Sequence, residues 1–514
     1  MNNSITKIII SCIIFIALLG SLYVGSLLAE ANYFKLGIGV AIILFLFYTI
    51  FLNKFWVLIA LLISVLGFRI QPLGPALDPE HLSVLLGAGF IFSNFWKKTH
   101  ALNGEATILN AFQSFNITFI IFTIFLCIHA YITYYLPSPE IVVAFGNLAK
   151  QYFYFWAPFA ILWITVRFIR FIPSVKKTPT LIGIILFLGV AFNIVLRAYS
   201  SFIVGVGEKD LVTGEIISPS VLYIPVLNLT DNIFALRGLS PLVALFGIAM
   251  LTSRNKSLTA GGQKILWVLL LALGIIGSVL SMGRATMVIT ALLVILCLLI
   301  RKKIAAVAMI GLLFVFLVVG ARIAYETDRD YIPFGLQRSL AMIPGMDMPE
   351  AKGDIDASSE WRWMLAMKAL DEWKSNSRKF FIGRGVHAFT DRDIAVGKLE
   401  GYFGVMDINL RRATTHNIIT DLLLTIGLVG SILYILLFCS FIALIINALN
   451  LAKNSKNISY ELIFVTVLFS ISMIPAYILG GGGVYNIVIL IFCVALTNIS
   501  VVDSAILLAK NSSL

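Results

Sequence analysis

The chain has 514 residues, of which 60% are hydrophobic and only 12% are charged, and its formal net charge is +12 at pH 7. A typical soluble domain carries about 25% charged residues, so this composition excludes an ordinary soluble protein and indicates a polytopic integral membrane protein. The excess lysine and arginine is spread over short loops, which is typical of cytoplasmic loops and argues against a nucleic-acid partner.

Apolar runs of the length needed to cross a bilayer, about 17 to 20 residues, recur along the whole chain. We predict an all-α polytopic fold with about twelve to fourteen transmembrane helices. The first run is predicted as a retained helix because it is too long for a cleaved signal segment. The candidate spans lie near 8–28, 35–52, 55–70, 82–96, 114–136, 150–171, 179–199, 236–252, 265–282, 285–300, 303–322, 417–447, 459–480 and 484–502.

Basic residues occupy every alternate short loop, beginning with Lys7, and so indicate which side of the membrane each loop faces. Both termini are then expected in the cytoplasm, together with the turn at Arg301–Lys303. The segment 200–235, the turn at Ser281–Arg284 and the polar loop 323–415 are expected outside. The five cysteines all lie in apolar runs, so neither a disulfide nor a thiolate metal site is expected.

Four regions follow from this pattern: N-terminal transmembrane helices over 1–235, further transmembrane helices over 236–322, a large outer loop over 323–415, and C-terminal transmembrane helices over 416–514. The loop, about 90 residues long, balances acidic and basic residues and is expected to hold a few helices that cap the outer face. One helix is predicted to start at Ser358-Ser359-Glu360 and to stop before Gly383. Its predicted apolar stripe consists of Trp363, Ala366, Met367, Leu370 and Trp373.

Arg284 lies in a very short turn between two apolar runs, at the end predicted to face outward. The positive-inside rule disfavours an arginine there, so Arg284 either reaches lipid headgroups or serves a function. A guanidinium presents fixed donors to phosphate oxygens and stays charged when partly buried, so the functional interpretation is an anion clamp. Arg384, between Gly383 and Gly385, is a further candidate for substrate contact, with a plain turn as the alternative.

A second polar cluster precedes the apolar run near 417–447 and contains Arg411, Arg412, His416, Asn417 and Asp421. The free N–H groups at a helix start favour anions, and the two arginines add to that preference. A histidine in this position can act as a general base for a hydroxyl or donate to a phosphate. We therefore expect the chemistry at this junction.

The motifs follow one another in a recognisable order: Ser281 and Arg284, Arg362, Gly383 and Gly385, His416 and Asn417, and Gly427 and Gly430. This order, over residues 236–450, resembles that of the O-antigen ligase and polymerase superfamily. One departure is Thr425, which stands where the family usually carries a glutamate, and Asp421 is the nearest acidic alternative. The last two glycines also form a small-residue face that another helix can approach closely.

The resemblance implies an enzyme of the bacterial inner membrane that transfers a glycan from an undecaprenyl diphosphate carrier to an acceptor hydroxyl at the periplasmic face. In this interpretation Arg284 and Arg362 hold the diphosphate without a metal or cofactor, and His416 is the base. Substrate-binding roles are expected for Asn417, Arg411, Arg412, Arg384 and Asp421.

Three acceptors stay open: lipid A–core for a ligase, a carrier-linked glycan for a polymerase, and a protein hydroxyl for an O-oligosaccharyltransferase. A flippase or transporter of lipid-linked oligosaccharide is the alternative from a different class. Transporters place charges along the middle of several helices and often repeat their halves, whereas the polar residues of this chain gather at one face. Besides the glycan donor and acceptor, membrane lipids are the expected partners.

Overall fold

The fold is an all-α membrane fold, as the composition predicts. The computed structural model describes residues 61, 106–135, 156, 159–160, 162–163, 178–202, 208–209, 216–217, 233–253, 255, 258, 261–281, 284–327, 337, 340–341, 348–385, 410, 415, 417–454 and 460–470. Four helices in this part of the chain are long and apolar enough to cross a membrane: Gln113–Thr133, Thr178–Val195, Gly262–Leu280 and Ile418–Asn450. The predicted total of about twelve to fourteen spans includes runs outside the described residues and stays a prediction.

The described helices follow the predicted order closely. They are α1 (Ala106–Ala130), which continues as a π-helical turn over Tyr131–Tyr135, α2 (Thr178–Phe202), α3 (Ile233–Leu251), α4 (Gly262–Leu280), α5 (Arg284–Ile300), α6 (Ile304–Thr327), α7 (Pro349–Lys374), α8 (Ser377–Ile382), α9 (Ile418–Asn454) and α10 (Tyr460–Ser470). Between α2 and α3, the two-residue strand β1 (Glu208–Lys209) pairs antiparallel with β2 (Ile216–Ile217).

Helix α3 lies at the centre of one group of helices and packs against α2, α4 and α5. Its residues from Gly238 to Met250 are all buried, so the helix is apolar on every side rather than amphipathic. Helix α4 approaches it closely at Gly274, where an added Cβ would lie 2.7 Å from Cα of Ala244. Small residues allow such an approach, which places the two helix backbones almost in contact.

A buried ion pair joins three helix ends at the opposite end of α5 from Arg284. Arg301 Nη2 donates to Glu461 Oε2, and Ser253 Oγ donates to Glu461 Oε1 at 2.9 Å. The Arg301 guanidinium also lies 4.4 Å from the centre of the Phe464 ring, a cation–π contact. The ends of α3 and α5 and the first turn of α10 are thereby held together.

This ion pair also fixes the direction of the last long helix. Helix α9 ends at Asn454 and α10 begins at Tyr460, so a short connection keeps these two helix ends at one face of the bundle. Because Arg301 follows α5, the C-terminal end of α5 lies at that face as well. The N-terminal ends of α5 and α9 therefore both lie at the opposite face.

Removing one member of this buried pair should destabilise the protein strongly. Glu461→Ala leaves the Arg301 guanidinium buried without its charge partner, and we expect a loss of about 3–5 kcal/mol in the free energy of unfolding. The double variant Arg301→Met with Glu461→Leu should recover most of that loss because it removes both charges. Thermal unfolding of the purified protein in detergent measures both effects.

The matched control is the exposed pair Arg322–Glu326, whose side chains are 60% and 61% exposed against 5% and 4% for Arg301 and Glu461. Glu326→Ala should cost less than about 1 kcal/mol because solvent screens an exposed pair. Equal losses for Glu326→Ala and Glu461→Ala would contradict the structural role given to the buried pair.

The predicted start of the loop helix was wrong. Helix α7 begins at Pro349 rather than at the serines near 358, and Ser359 Oγ instead donates to the Ile355 carbonyl within the helix. Proline is favoured at the first helical position because its missing N–H would have no partner there. The helix also does not continue to Gly383: it ends at Lys374, and the Asn376 side chain, which accepts from Lys379 N at 2.8 Å, caps the separate helix α8.

The predicted apolar stripe of α7 was only partly right. Trp363 is 67% exposed and Met367 is also exposed, so these two residues of the predicted stripe do not pack on the bundle. The buried positions are Leu365, Ala369 and Trp373, and Ala369 and Trp373 pack with Leu424 of α9. The packed face is therefore rotated relative to the stripe that the largest apolar side chains suggested.

Candidate functional site

The turn before Arg284 is held in place by a second arginine. Helix α5 begins at Arg284, one residue before the predicted span 285–300, and Ser281 ends α4 with its Oγ donating to the Ser278 carbonyl at 2.7 Å. Arg237 of α3 donates from Nε to the Ser281 carbonyl at 3.2 Å. The sequence analysis missed Arg237, although an arginine near the end of an apolar helix is itself a signal of function. The Arg284 side chain lies outside the described atoms.

Buried hydroxyl groups fasten α4 to α5 just below this turn. Ser278 Oγ and Thr290 Oγ1 lie 2.7 Å apart, so one donates to the other, and each oxygen also lies 2.7 Å from a carbonyl oxygen of its own helix. Hydroxyl pairs of this kind are stabilising between helices within a membrane. The position of the Arg284 backbone is thus fixed by two helices rather than by a free loop.

Asn417 is the N-cap of α9. Its Oδ1 accepts from Ile419 N at 3.0 Å, and its carbonyl accepts from Thr420 Oγ1 at 3.0 Å. The side-chain oxygen of Asn417 is therefore used to begin the helix. The role expected for Asn417 in binding substrate stays a prediction.

Asp421 lies one turn into α9 and holds the chain just before it. One of its oxygens, Oδ1, accepts from both Thr415 N and Thr415 Oγ1, each at 2.7 Å. Thr415 is buried, and its hydroxyl also contacts Thr420 Oγ1. Thr415 and Asn417, the two neighbours of His416 in the sequence, are thus both fastened to the first turns of α9. His416 itself, Arg411 and Arg412 lie outside the described residues.

Helix α9 is broken at Gly427, which has φ 65° and ψ −171°. The break releases the carbonyls of Leu424 and Thr425, which accept from Arg384 N at 2.8 Å and Gly385 N at 3.0 Å. The Gly-Arg-Gly segment after α8 therefore replaces hydrogen bonds that the helix has lost. Gly427 was predicted as part of a helix-packing face, but it is a helix break that receives this segment.

The two backbones meet through a pair of glycines. An added Cβ on Gly383 would lie 2.5 Å from Gly427 N, and one on Gly427 would lie 2.6 Å from Ile382 N. Both glycines have positive φ, 86° and 65°, in a region that other residues rarely adopt. Gly430 does have the predicted role, because a Cβ there would lie 2.6 Å from the Phe125 ring of α1.

Arg384 is almost completely buried, with a side chain only 5% exposed. Its Nη1 donates to Glu372 Oε1 at 2.6 Å, and its Nη2 donates to the Leu410 carbonyl. Among the described residues, Nε of Arg384 has no hydrogen-bond partner. Two of the three guanidinium nitrogens therefore bind protein groups, which favours a structural role over the substrate contact expected from the sequence.

His129, at the end of α1, is a second residue that the sequence analysis missed. Its Nε2 donates to the Ile382 carbonyl at 2.7 Å, directly beside the contact between Gly383 and Gly427. The π-helical turn Tyr131–Tyr135 follows at once, and such turns occur often at functional sites. A buried histidine close to an apolar helix end was the available signal.

Arg362 lies near the middle of α7, and its side chain is exposed. The buried face of α7 packs on α9, so Arg362 belongs to the outer surface of this helix. Arg284 and Asn417 lie at the same face of the bundle, because α5 and α9 both begin there. Whether the side chains of Arg284, Arg362 and His416 meet in one crevice stays a prediction.

Residues 267–435 match the family model described as O-antigen ligase. The matched region runs from α4 to the part of α9 beyond the break at Gly427, and it contains Arg284, Arg362, Arg384 and His416. No curated protein matches the chain at a significant level.

Proposed function

We propose that this chain, whose residues 267–435 match the O-antigen ligase family model, transfers a glycan from a polyprenyl diphosphate carrier to an acceptor hydroxyl. The transfer takes place at the periplasmic face of the bacterial inner membrane, and both termini lie in the cytoplasm. The observation that best supports this proposal is that the helices beginning at Arg284 and after Asn417 start at one face of the bundle. Cationic and basic groups far apart in sequence are thereby available to a single substrate.

The reaction needs one bond to form and one to break. The acceptor oxygen attacks the anomeric carbon, and the bond from that carbon to the diphosphate breaks, so the lipid diphosphate leaves with the electron pair. His416 accepts the acceptor proton, a contribution of typically ~10²–10⁴-fold. Arg284 and Arg362 stabilise the charge that develops on the leaving diphosphate, and they do so without a metal.

The described neighbours of His416 suit this role because both are held to the first turns of α9. Asn417 caps α9, and Asp421 fastens Thr415 on the other side of His416. A base held in one place avoids the loss of rate that follows from a misplaced catalytic group. Arg411 and Arg412, which precede this junction, add positive charge for the diphosphate.

A transfer assay with purified protein tests the proposal. A polyprenyl diphosphate glycan is offered with lipid A–core, with a second carrier-linked glycan, or with an acceptor protein, each with and without a chelator. We expect product with one acceptor, release of one polyprenyl diphosphate for each glycan transferred, and no effect of the chelator. Product with lipid A–core identifies a ligase, and lengthened carrier-linked glycan identifies a polymerase.

The same protein in lipid vesicles provides the contrary outcome. Movement of intact lipid-linked glycan across the bilayer, with no glycan transferred to any acceptor, would overturn the proposal in favour of a transporter.

A further inference from the structure

Two described residues flank the segment that carries Arg411, Arg412 and His416. Leu410 comes directly before it, and Thr415 lies at its end. The Leu410 carbonyl accepts a hydrogen bond from the Arg384 side chain, and Thr415 N donates one to the Asp421 side chain. Leu410 and Thr415, the described residues at the two ends of this segment, are therefore each held by a charged side chain.

At the start of the segment, Arg384 joins Leu410 to two helices at once. Its guanidinium donates to the Leu410 carbonyl and, at 2.6 Å, to Glu372 of α7. Its backbone N–H donates to the Leu424 carbonyl of α9 at 2.8 Å. Because a guanidinium is planar and its donors are fixed, these bonds define both the distance and the direction of Leu410 from α7.

Apolar packing supports the same arrangement. The side chain of Leu410 packs in a small cluster with Ala369 and Trp373 of α7 and Leu424 of α9. Trp373 in turn stacks on Phe380 at 4.6 Å between ring centres, and its Nε1 donates to the Phe380 carbonyl at 2.9 Å. Leu410 is thus fixed by both polar and apolar contacts.

At the end of the segment, the Asp421 carboxylate holds Thr415 by hydrogen bonds. Both described hydrogen bonds of this carboxylate end on a single oxygen and come from one residue, Thr415. The carboxylate therefore anchors the backbone immediately before His416 to the first turns of α9.

We propose that Arg384 and Asp421 are positioning residues, which hold the two ends of the 411–416 segment and thereby place its arginines and histidine for glycan transfer. This inference rests on the proposed function, but it assigns these two side chains to the protein scaffold rather than to the substrate. The charge of Arg384 is already balanced by Glu372, and a side chain that is 5% exposed offers little surface to a diphosphate.

Arg384→Gln tests the first anchor through kinetics. We expect kcat to fall by about 10- to 100-fold, because a small displacement of a catalytic group has an effect of this size, whereas KM for the lipid-linked donor changes by less than about threefold. Arg384→Lys, which keeps the charge but not the planar pair of donors, should also lower kcat and serves where Arg384→Gln fails to fold. A rise in KM with unchanged kcat for either variant would show a donor contact and overturn the proposal.

Asp421 offers a conservative replacement that separates geometry from charge. Asp421→Asn keeps an oxygen that can accept both bonds from Thr415, so activity should stay within about tenfold of the wild type. Asp421→Ala removes that oxygen and should lower kcat by about 10- to 100-fold. If the Asn and Ala variants lose activity equally, the charge rather than the anchor is required, and the positioning role of Asp421 is rejected.

Hydrogen exchange gives a readout that does not depend on catalysis. In Arg384→Gln and Asp421→Ala, peptides that cover 410–417 should exchange faster, whereas peptides from the middle of α9 should not change. Lys379→Gln is the matched control, because Lys379 lies 3.5 Å from Glu372 but makes no bond to Leu410. Faster exchange in that control, or unchanged exchange in both variants, would overturn the proposal even if the wild-type protein transferred no glycan at all.

Discussion

His416→Ala should abolish glycan transfer while the protein still inserts into the membrane and unfolds at the wild-type temperature. Loss of a general base typically lowers the rate by ~10²–10⁴-fold, because the acceptor hydroxyl must then lose its proton to water. The neighbours Thr415 and Asn417 make their contacts without the imidazole, so the fold around the site should persist. The measurement is the initial rate of transfer with a saturating lipid-linked donor.

Two further variants make this prediction specific. His416→Arg keeps a donor for phosphate but cannot accept a proton, so it should be as inactive as His416→Ala if the imidazole is the base. Recovery of activity in His416→Arg would show that His416 contacts phosphate instead. His387→Ala removes the only histidine in the sequence of the large loop 323–415. This residue is not part of the predicted site, so the variant should transfer glycan at the normal rate. Normal product from His416→Ala would reject the assignment altogether.

Gly383→Ala and Gly427→Ala should each detach the large loop from α9 and reduce transfer by more than about tenfold. A Cβ on Gly383 would lie 2.5 Å from Gly427 N, and these atoms belong to backbone that is held by hydrogen bonds on both sides. Both positions also have positive φ, which costs about 1–3 kcal/mol for a residue with a side chain. A lowered midpoint of thermal unfolding, together with faster proteolysis of the loop, measures the detachment.

Gly261 supplies the control for conformational strain alone. It also has positive φ, 52°, but nothing lies within 4 Å of an added Cβ. Gly261→Ala should therefore show the strain without the collision, with a small shift in unfolding and normal transfer. If Gly261→Ala and Gly427→Ala change the unfolding temperature and the transfer rate equally, the close contact between the loop and α9 does not contribute to function.

The sequence predicted the helices well because hydropathy over about twenty residues is a strong signal. Helices α4, α5 and α9 begin close to the predicted positions, and Arg284 does open α5. The start of α7 was missed because the residues after Pro349 are polar and include Gly353, a composition typical of a loop. Its helical structure there depends on packing of Met348 and Ala351 against the end of α6, which hydropathy cannot reveal.

The contacts of the candidate site were much less predictable. Gly427 and Gly430 have the spacing of a helix-packing pair. The break at Gly427 is recognised only from the structure, where the backbone of Arg384 and Gly385 donates hydrogen bonds to α9. Arg384 was an isolated arginine between glycines, and its partners Glu372 and Leu410 are set by tertiary structure. Arg237 and His129 belong to no motif. Their places near the ends of apolar runs mark them as candidates, but their contacts with Ser281 and Ile382 are set by tertiary structure.

The break in α9 has a consequence for how the protein is made. A carbonyl left unpaired at membrane depth costs several kcal/mol, and the carbonyls of Leu424 and Thr425 find their donors only in the chain that precedes α9. Because the chain is made from its N-terminus, the Gly383–Gly385 segment is synthesised before α9 and must dock on it to supply these donors. Docking of the segment and stable packing of α9 in the bilayer are therefore coupled steps of biogenesis, and a delay in docking would leave the two carbonyls without donors.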